Sequence, residues 1–516
     1  VTDLPNVSAA TTQLYRHDIS ITSVRLLGDE AVLLIEGEFI GQPIAVLNLV
    51  GARQVLPSTL SIAGTQFSAR LALRVANFNG PLLAPRSGKY TLEARLMDAS
   101  LATISLNAAL PAQQLLTGLT RIAFTPAHVF TATFSAPLTD RERGALQQSA
   151  LESDYRAATF EPLNAVFFES FFGRNASCNP LAIDRALAKL RPDIVRYWSV
   201  ADGSVETPPG AIAVIEGSAE WWHARGSVRL LVVNDWLRKR LRKRSYQRVL
   251  QTWHGTMLKK LALSRRHQGV RAAIATLLER SRWDILLAQN PHSAKVFRTA
   301  YAFRGPIWQE GYPRDDILVG DDSAATQAAV RARLGIDSKK KIILYAPTWR
   351  DDHPDHVDHL DVARFATELG DDYAVLIRGH SRTLLPGDNV HGANVLDVTG
   401  YPDVSQLFLV ADSLVTDYSS VMFDFSVTGK PIYFFTPDIL HYRTNLRGFY
   451  FDLMAVAPGP VVSTIEQLLH KIQNPAVSHS EFIEKYLAWQ LRFNPRDDGH
   501  SATRIVKRLL AEGILD

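Results

Sequence analysis

A single cysteine, Cys178, stands in a chain of 516 residues, so no disulfide can close within it and a reducing compartment is expected. There is no apolar run of about 18 residues, the length a helix needs to cross a bilayer, and no signal-peptide pattern at the start. The chain opens on Val1 rather than Met, which leaves an anchor further upstream as an open question. Phosphate fingerprints are missing as well: neither GxxxxGK[ST] nor a GxGxxG after a strand occurs, which argues against P-loop chemistry. No HExxH is found, and the Asp- and His-rich tract from Asp351 to His359 matches no defined metal spacing and reads as a solvated loop. No metal or cofactor is therefore expected. Internal repeats and low-complexity tracts are absent, and no nucleic-acid module accompanies the basic residues, so nucleic acid is not an expected partner.

What is present is an ordinary globular composition, 46% hydrophobic and 21% charged with a formal net charge of +4. A chain this long exceeds one hydrophobic core, and two or three domains are expected. Residues 1–120 alternate with period two, as in Ala31 to Ile40 and Phe67 to Val75, and carry turn signals such as Asn79-Gly80-Pro81. They read as a small all-β, sandwich-like accessory domain. Residues 121–163 read as a connection. From Asn164 short apolar runs alternate with helical segments, the grammar of parallel sheets covered on both faces. One such series occupies 164–318. A second, with strands at Lys341 to Ala346, Tyr373 to Arg378 and Ser413 to Thr416, occupies 319–516 and ends in closing helices. The fold class is α/β, with two Rossmann-like domains in tandem.

Ligands of parallel sheets sit beyond the carboxyl ends of strands. The residues there are Trp253-His254-Gly255, Thr348-Trp349-Arg350, Arg378-Gly379-His380 and Asp417-Tyr418-Ser419-Ser420. Ser419 and Ser420 are expected to open a helix, where hydroxyls, free N–H groups and the dipole together favour an anion. With Arg350, Arg378 and His380 they would supply the donors a diphosphate needs in the absence of a P-loop. The bland alternatives are a simple helix cap and local ion pairs. The basic run from Arg238 to Arg248 reads either as a solvated loop or as a surface for an anionic membrane or polymer.

Several ordered stretches carry a resemblance: Phe168-Glu169-Ser170-Phe171-Phe172-Gly173, Gln251-Thr252-Trp253-His254-Gly255-Thr256 with Leu258-Lys259, Arg282-Trp283-Asp284, Gly311-Tyr312-Pro313-Arg314-Asp315, Ala346-Pro347-Thr348-Trp349-Arg350-Asp351, Thr416-Asp417-Tyr418-Ser419-Ser420 with Phe423-Asp424, Lys430-Pro431-Ile432, and Arg447-Gly448-Phe449-Tyr450-Phe451-Asp452. Together they resemble the CDP-glycerol glycerophosphotransferase family of teichoic-acid primases and polymerases. The resemblance implies a GT-B fold of two facing Rossmann-like domains, with the nucleotide in the C-terminal one and the acceptor approaching from the N-terminal one. It also implies a cytoplasmic protein held peripherally at the inner face of the membrane. Met257 stands where the family usually has proline, and Ser381 follows Arg378-Gly379-His380 where proline is usual.

The implied reaction passes a polyol phosphate, glycerol phosphate or ribitol phosphate, from a CDP-polyol to a hydroxyl of a lipid-linked or polymeric acceptor, with CMP released. His254 is the expected general base, since imidazole titrates in the useful range, and Asp284 either orients it or assists the leaving group, or is an ordinary carboxylate at a strand start. Arg350, Arg378, His380, Asp417, Ser419 and Ser420 would hold the donor, with Trp253, Gly255, Thr256 and Lys259 on the acceptor side. Two other readings stay open at this stage: a nucleotide-sugar glycosyltransferase, and a non-catalytic protein that binds an anionic polymer.

Overall fold

The computed structural model describes residues 18–27, 32–106, 113–125, 130–237, 241–266, 269–321, 323–348, 360–379, 394–439 and 448–516. They fall into two compact units, residues 1–75 with 84–135, and residues 76–83 with 136–516.

The first unit is built on strands β1 (Ile19–Leu27), β2 (Val32–Phe39), β3 (Ile44–Gly51), β4 (Gln54–Ala63) and β5 (Gln66–Ala72). A separate two-stranded ribbon, β6 (Val75–Ala76) and β7 (Leu82–Leu83), interrupts this unit and belongs almost wholly to the second one. β8 (Gly88–Leu96), β9 (Ile104–Leu106), β10 (Gln113–Leu116), β11 (Arg121–Thr125) and β12 (Thr131–Ser135) complete the first unit. The ten-stranded order is β10-β11-β12-β8-β3-β4-β5-β2-β1-β9, antiparallel apart from the β1–β9 pair. β4 changes partner along its length: Gln54 to Pro57 pair with β3, and Ser58 to Ala63 pair with β5. Pro57 has no N–H to give to a ladder, and the change of partner there lets one continuous sheet fold over into two layers. The enclosed core draws on both halves, with Ile19, Leu33 and Ile35 from one and Leu47, Leu92 and Phe134 from the other. β11 and β12 lie in the stretch read above as a connection. A strand-like stretch ending at Phe134 is visible there in the sequence, and the pairing of β12 with β8 and of β11 with β12 brings both into the sheet.

Two parallel sheets organise the second unit. The first contains β13 (Leu163–Glu169), β14 (Val195–Val200), β15 (Ile212–Ile215), β16 (Val228–Val233), β17 (Arg248–Gln251), β18 (Ile285–Leu287) and β19 (Ile307–Trp308), in the order β15-β14-β13-β16-β17-β18-β19. The second contains β20 (Lys341–Ala346), β21 (Tyr373–Ile377), β22 (Val395–Asp397), β23 (Ser413–Thr416), β24 (Ile432–Phe435) and β25 (Val461–Val462), in the order β22-β21-β20-β23-β24-β25. The central strands are buried along most of their length instead of alternating, because helices cover both faces. Each order reverses direction once, between β13 and β16 and between β20 and β23. That reversal opens a crevice at the carboxyl ends of the strands, the usual ligand position in doubly wound sheets.

The last helix, Ser501–Ala511, does not close the second sheet. Ile505, Val506 and Leu509 join the core of the first one, beside Val166, Phe168 and Leu230. In the other direction Leu258 joins the core of the second sheet. The two parallel sheets thus exchange elements and share packing.

Candidate functional site at the strand ends

The segment after β17 is shaped before it reaches any ligand. Trp253 adopts a φ of +56°, its N–H donates to Gln251 Oε1 at 2.9 Å, and Asn179 Nδ2 donates to the carbonyls of Thr252 and Trp253, both at 3.1 Å. These bonds lift the chain out of the strand direction and bring His254 to the crevice, where it is partly exposed. The imidazole stacks on Trp253 at 5.0 Å and meets the ring of Phe171 at 5.5 Å. His254 Nδ1 lies 2.5 Å from the carbonyl oxygen of Asn234. A carbonyl only accepts, so Nδ1 carries the hydrogen and Nε2 keeps its lone pair in the neutral ring. Loss of water around the ring, reinforced by the Arg314 guanidinium, holds the His254 pKa below the ordinary 6.5 against the opposing pull of Asp235 and the Asn234 carbonyl. At neutral pH the ring is a base with a free nitrogen.

Across from it stands the turn after β23. At Gly255 a Cβ would lie 3.0 Å from Ser420 Oγ and 3.2 Å from Ser420 Cβ, so glycine is what allows the two strand ends to touch. Ser420 precedes a five-residue helix, Val421–Phe425, and its side chain makes no capping bond. The bland alternative of a simple side-chain cap therefore does not hold at Ser420. Ser420 already has helical backbone angles, a geometry in which its hydroxyl does not turn back onto the first amides. The hydroxyl faces Gly255 instead.

A guanidinium that the sequence reading left without a role joins the two sides. Arg314 is buried; its Nε and Nη2 donate to Asp424 Oδ1 at 3.0 and 2.6 Å, and its Nη1 donates to the His254 carbonyl at 3.0 Å. Its own N–H donates to Asn179 Oδ1 at 3.2 Å. Behind it lie two more buried carboxyls. Burial, with Asp424 and Asp497 nearby, pushes Asp315 well above the usual carboxylate range, and burial raises Asp497 to about 7. Gln289 Nε2 donates to both, at 3.1 and 2.9 Å.

Other expected site residues serve the fold. Asp284 is not beside His254. It precedes β18 level with Val249, where Oδ2 accepts from the Val249 N–H and Oδ1 from Lys243 Nζ, both at 2.8 Å. It sits toward the amino end of the sheet, and the backbone of Asn234 takes over the task of orienting His254. Trp253 is buried against Phe297 and Tyr301, so it backs the imidazole and offers no acceptor surface. Thr256 is buried too, bonded to Gln289 at 2.6 Å, Asn290 at 2.9 Å and Ser293 at 3.1 Å. Lys259 bridges to the second sheet, its Nζ donating to Thr348 Oγ1 at 3.2 Å and its backbone pairing with Phe449.

On the second sheet, Asp417 is buried and its oxygens accept from the Thr348 N–H at 2.9 and 3.0 Å, tying the ends of β20 and β23 together across the reversal. It is a tie and not an open ligand. Arg378 directs Nη1 to the carbonyls of Val398 and Tyr401 at 3.2 and 2.8 Å. Ser419 is partly exposed beside Ser420. Arg350 and His380 lie outside the described residues. Within the described part of the basic run, Arg242 bonds the Arg156 carbonyl, Lys243 pairs with Asp284 and Arg244 stacks on Tyr155. Arg242 and Arg244 thus brace the Ala145–Ala157 helix, and Lys243 is tied to the start of β18. Among the described residues no cluster of three or more His, Cys, Asp or Glu could hold a metal, and no helix is long and apolar enough to cross a membrane.

Fold and site together define an α/β protein of two tandem Rossmann-type sheets with a crevice where their strand ends meet. A family model described as CDP-Glycerol:Poly(glycerophosphate) glycerophosphotransferase matches residues 154–511. The chain belongs to that family. A teichoic acid poly(glycerol phosphate) polymerase of Bacillus subtilis (strain 168) is 35% identical over 361 residues, 66% of this chain and 48% of that protein. A teichoic acid glycerol-phosphate transferase of Staphylococcus aureus (strain NCTC 8325 / PS 47) is 34% identical over 366 residues, 67% of this chain and 92% of that protein. The solved structure of the wall teichoic acid polymerase TagF is similar with a TM-score of 0.65 and 34% identity, covering 71% of this chain and 93% of that one. This chain spans about half the length of the Bacillus subtilis relative.

Proposed function

We propose that the chain transfers a polyol phosphate, glycerol phosphate first and ribitol phosphate second, from a CDP-polyol to a hydroxyl of a teichoic-acid-like acceptor that is lipid-linked or polymeric. The two parallel sheets act as the facing lobes of a GT-B fold, and the protein works peripherally at the cytoplasmic face of the membrane. The observation that carries this reading is the neutral His254 ring, with Nδ1 fixed on a carbonyl, set one residue from the Gly255–Ser420 contact.

The acceptor hydroxyl gives its proton to His254 Nε2 while its oxygen bonds to the phosphorus that bears the polyol. The bond from that phosphorus to the bridging oxygen breaks, and CMP leaves. Charge builds on the transferring phosphoryl and on the bridging oxygen. In this reading Ser419 and Ser420, with the amides that follow them, receive it from the opposite wall. Arg378, Arg350 and His380 complete the donor side in this proposal.

Purified protein incubated with CDP-glycerol, CDP-ribitol and nucleotide sugars, together with short phosphopolyol acceptors, tests the reading. CMP release with a lengthened acceptor is expected. Release of UDP or GDP from a sugar donor, or tight polymer binding with no nucleotide released at all, would replace it with one of the two other readings.

A further inference from the structure

We infer that the trough beside the Val270–Arg280 helix seats the hydrocarbon tail of the lipid-linked acceptor, an inference that rests on the transfer reaction proposed above. This helix is inside out. A surface helix normally turns its apolar stripe to the core, yet here Thr276 and Glu279 are its buried residues, while Val270, Ile274 and Leu278 are 76%, 51% and 60% exposed. Their spacing of four residues puts all three on one face. Glu279 explains how the inverted helix is held. Its carboxylate accepts from the Leu237 N–H at 2.5 Å, from Trp283 Nε1 at 3.2 Å and from Arg282 Nη1 at 2.9 Å.

Two residues of the stripe, Ile274 and Leu278, line a cavity of about 870 Å³ whose other apolar walls include Phe172, Trp236 and Leu237. That volume suits a single bound molecule, for which roughly 300–1,000 Å³ is usual. Its position ties it to the chemistry. Phe172 follows Phe171, whose ring touches His254, and Trp236 follows Asn234-Asp235, whose first carbonyl holds the imidazole. The charges match a lipid phosphate. Arg271 and Arg282 line the trough, and exposed Arg265 and Arg266 precede the helix. Glu279 is the one carboxylate among the described lining residues, and it is turned inward onto Leu237, Trp283 and Arg282. An apolar slot with arginines at its border, ending at the supports of the base, fits an amphiphile whose anionic head continues toward His254.

The test titrates dodecyl phosphate, below its micelle concentration, into the full chain and into the variants Ile274→Glu and Leu278→Glu. Both positions are exposed, so unchanged thermal melts are expected. Binding to the native chain, weakened at least tenfold in either variant, is the predicted result. In the transfer assay the KM of a lipid-linked acceptor should rise similarly, while a tail-less oligo(glycerol phosphate) should keep its kcat/KM within about twofold. Equal dodecyl phosphate binding by all three proteins overturns the proposal, as does equal damage to tailed and tail-less acceptors. So does a dimer that sedimentation finds split by Ile274→Glu, since the face would then belong to a second copy. Loss of binding to phosphatidylglycerol vesicles with dodecyl phosphate binding intact would mark the stripe as a bilayer contact and also overturn it. The titration needs no turnover: an inactive protein that still binds the alkyl phosphate refutes the reaction alone, and an active one that does not refutes the trough alone.

Discussion

The two parallel sheets have the same kind of strand order and opposite habits at their carboxyl ends. On the first sheet, the segment after β17 uses glutamine, asparagine and backbone groups for its internal bonds and leaves the nitrogen of His254 that faces the crevice uncommitted. On the second, among the described residues, Asp417 is taken up by the Thr348 amide and Arg378 spends its Nη1 on two carbonyls, while Ser419 and Ser420 stay partly exposed. A charged residue at a strand end is therefore a poor guide to a ligand. What matters is whether its bonding capacity has already been satisfied.

The sharpest way to break this contrast is to exchange an uncommitted group for a committed one on the same sheet. His254→Ala is expected to lower the turnover of CMP release by roughly 10² to 10⁴, the contribution a positioned general base makes. Asp284→Ala should leave turnover within a few-fold, since it loses only the Lys243 and Val249 bonds. Equal losses in the two variants would undo the distinction. The pH profile adds a check on sign. In the proposed mechanism neutral imidazole is the active form, and its pKa is displaced downward, so kcat/KM should fall on the acid side with an inflection below 6.5 and be level above it.

Next in size is the pair that joins the sheets. Asp424→Ala leaves the buried Arg314 guanidinium without its carboxylate, and breaking such a pair costs about 3–5 kcal/mol of stability. Asp424→Asn keeps an acceptor oxygen and should cost clearly less. Urea unfolding of the two variants gives the comparison. A loss below about 1 kcal/mol for the alanine variant would mean that the strand ends are held together by something else.

The strand ends themselves were legible, because apolar runs bounded by helical segments mark parallel strands and Gly255 and Ser420 follow at once. The Arg314–Asp424 pair was not, although both residues stand in recognisable motifs. They are separated by 110 positions, and no local period reports which carboxylate a buried arginine will meet across a crossover fold. Asp284 misled for a related reason: proximity to a strand is visible in sequence, but which end of the sheet faces the ligand depends on direction. The stripe of Val270, Ile274 and Leu278 shows the same limit, since helical spacing reveals an apolar face and not whether core or solvent lies opposite. In the first unit, the change of partner along β4 is equally silent, because both of its halves read simply as strand.

A smaller effect tests the acid cluster behind the pair. Asp497, raised to about 7 in the folded protein against 3.8 unfolded, binds a proton in the native state over that interval and not in the unfolded one. Its stabilising contribution is thus full below pH 3.8 and is lost as pH climbs toward 7, with a slope of at most about 1.4 kcal/mol per pH unit. Asp497→Asn should flatten this part of the stability curve whatever it does to the absolute stability. An unchanged slope would show that the neighbouring Asp315 carries the proton.

The smallest expected effect lies on the second sheet and separates its free hydroxyl from its committed carboxylate. Ser420→Ala removes one neutral hydrogen-bonding group, worth about 0.5–1.5 kcal/mol, so KM for the CDP-polyol should rise from about twofold to tenfold while the melting temperature stays put. Asp417→Asn should do the reverse. Asparagine keeps one oxygen for the Thr348 amide but loses the charge that strengthens that bond, and the consequence is a lower melting temperature with donor KM little altered. The pair of measurements works because each variant is the other's control. If Ser420→Ala lowers the melting point and spares KM, the hydroxyl at Gly255 is there to pack the crevice shut, and the donor must be held by other groups of this sheet.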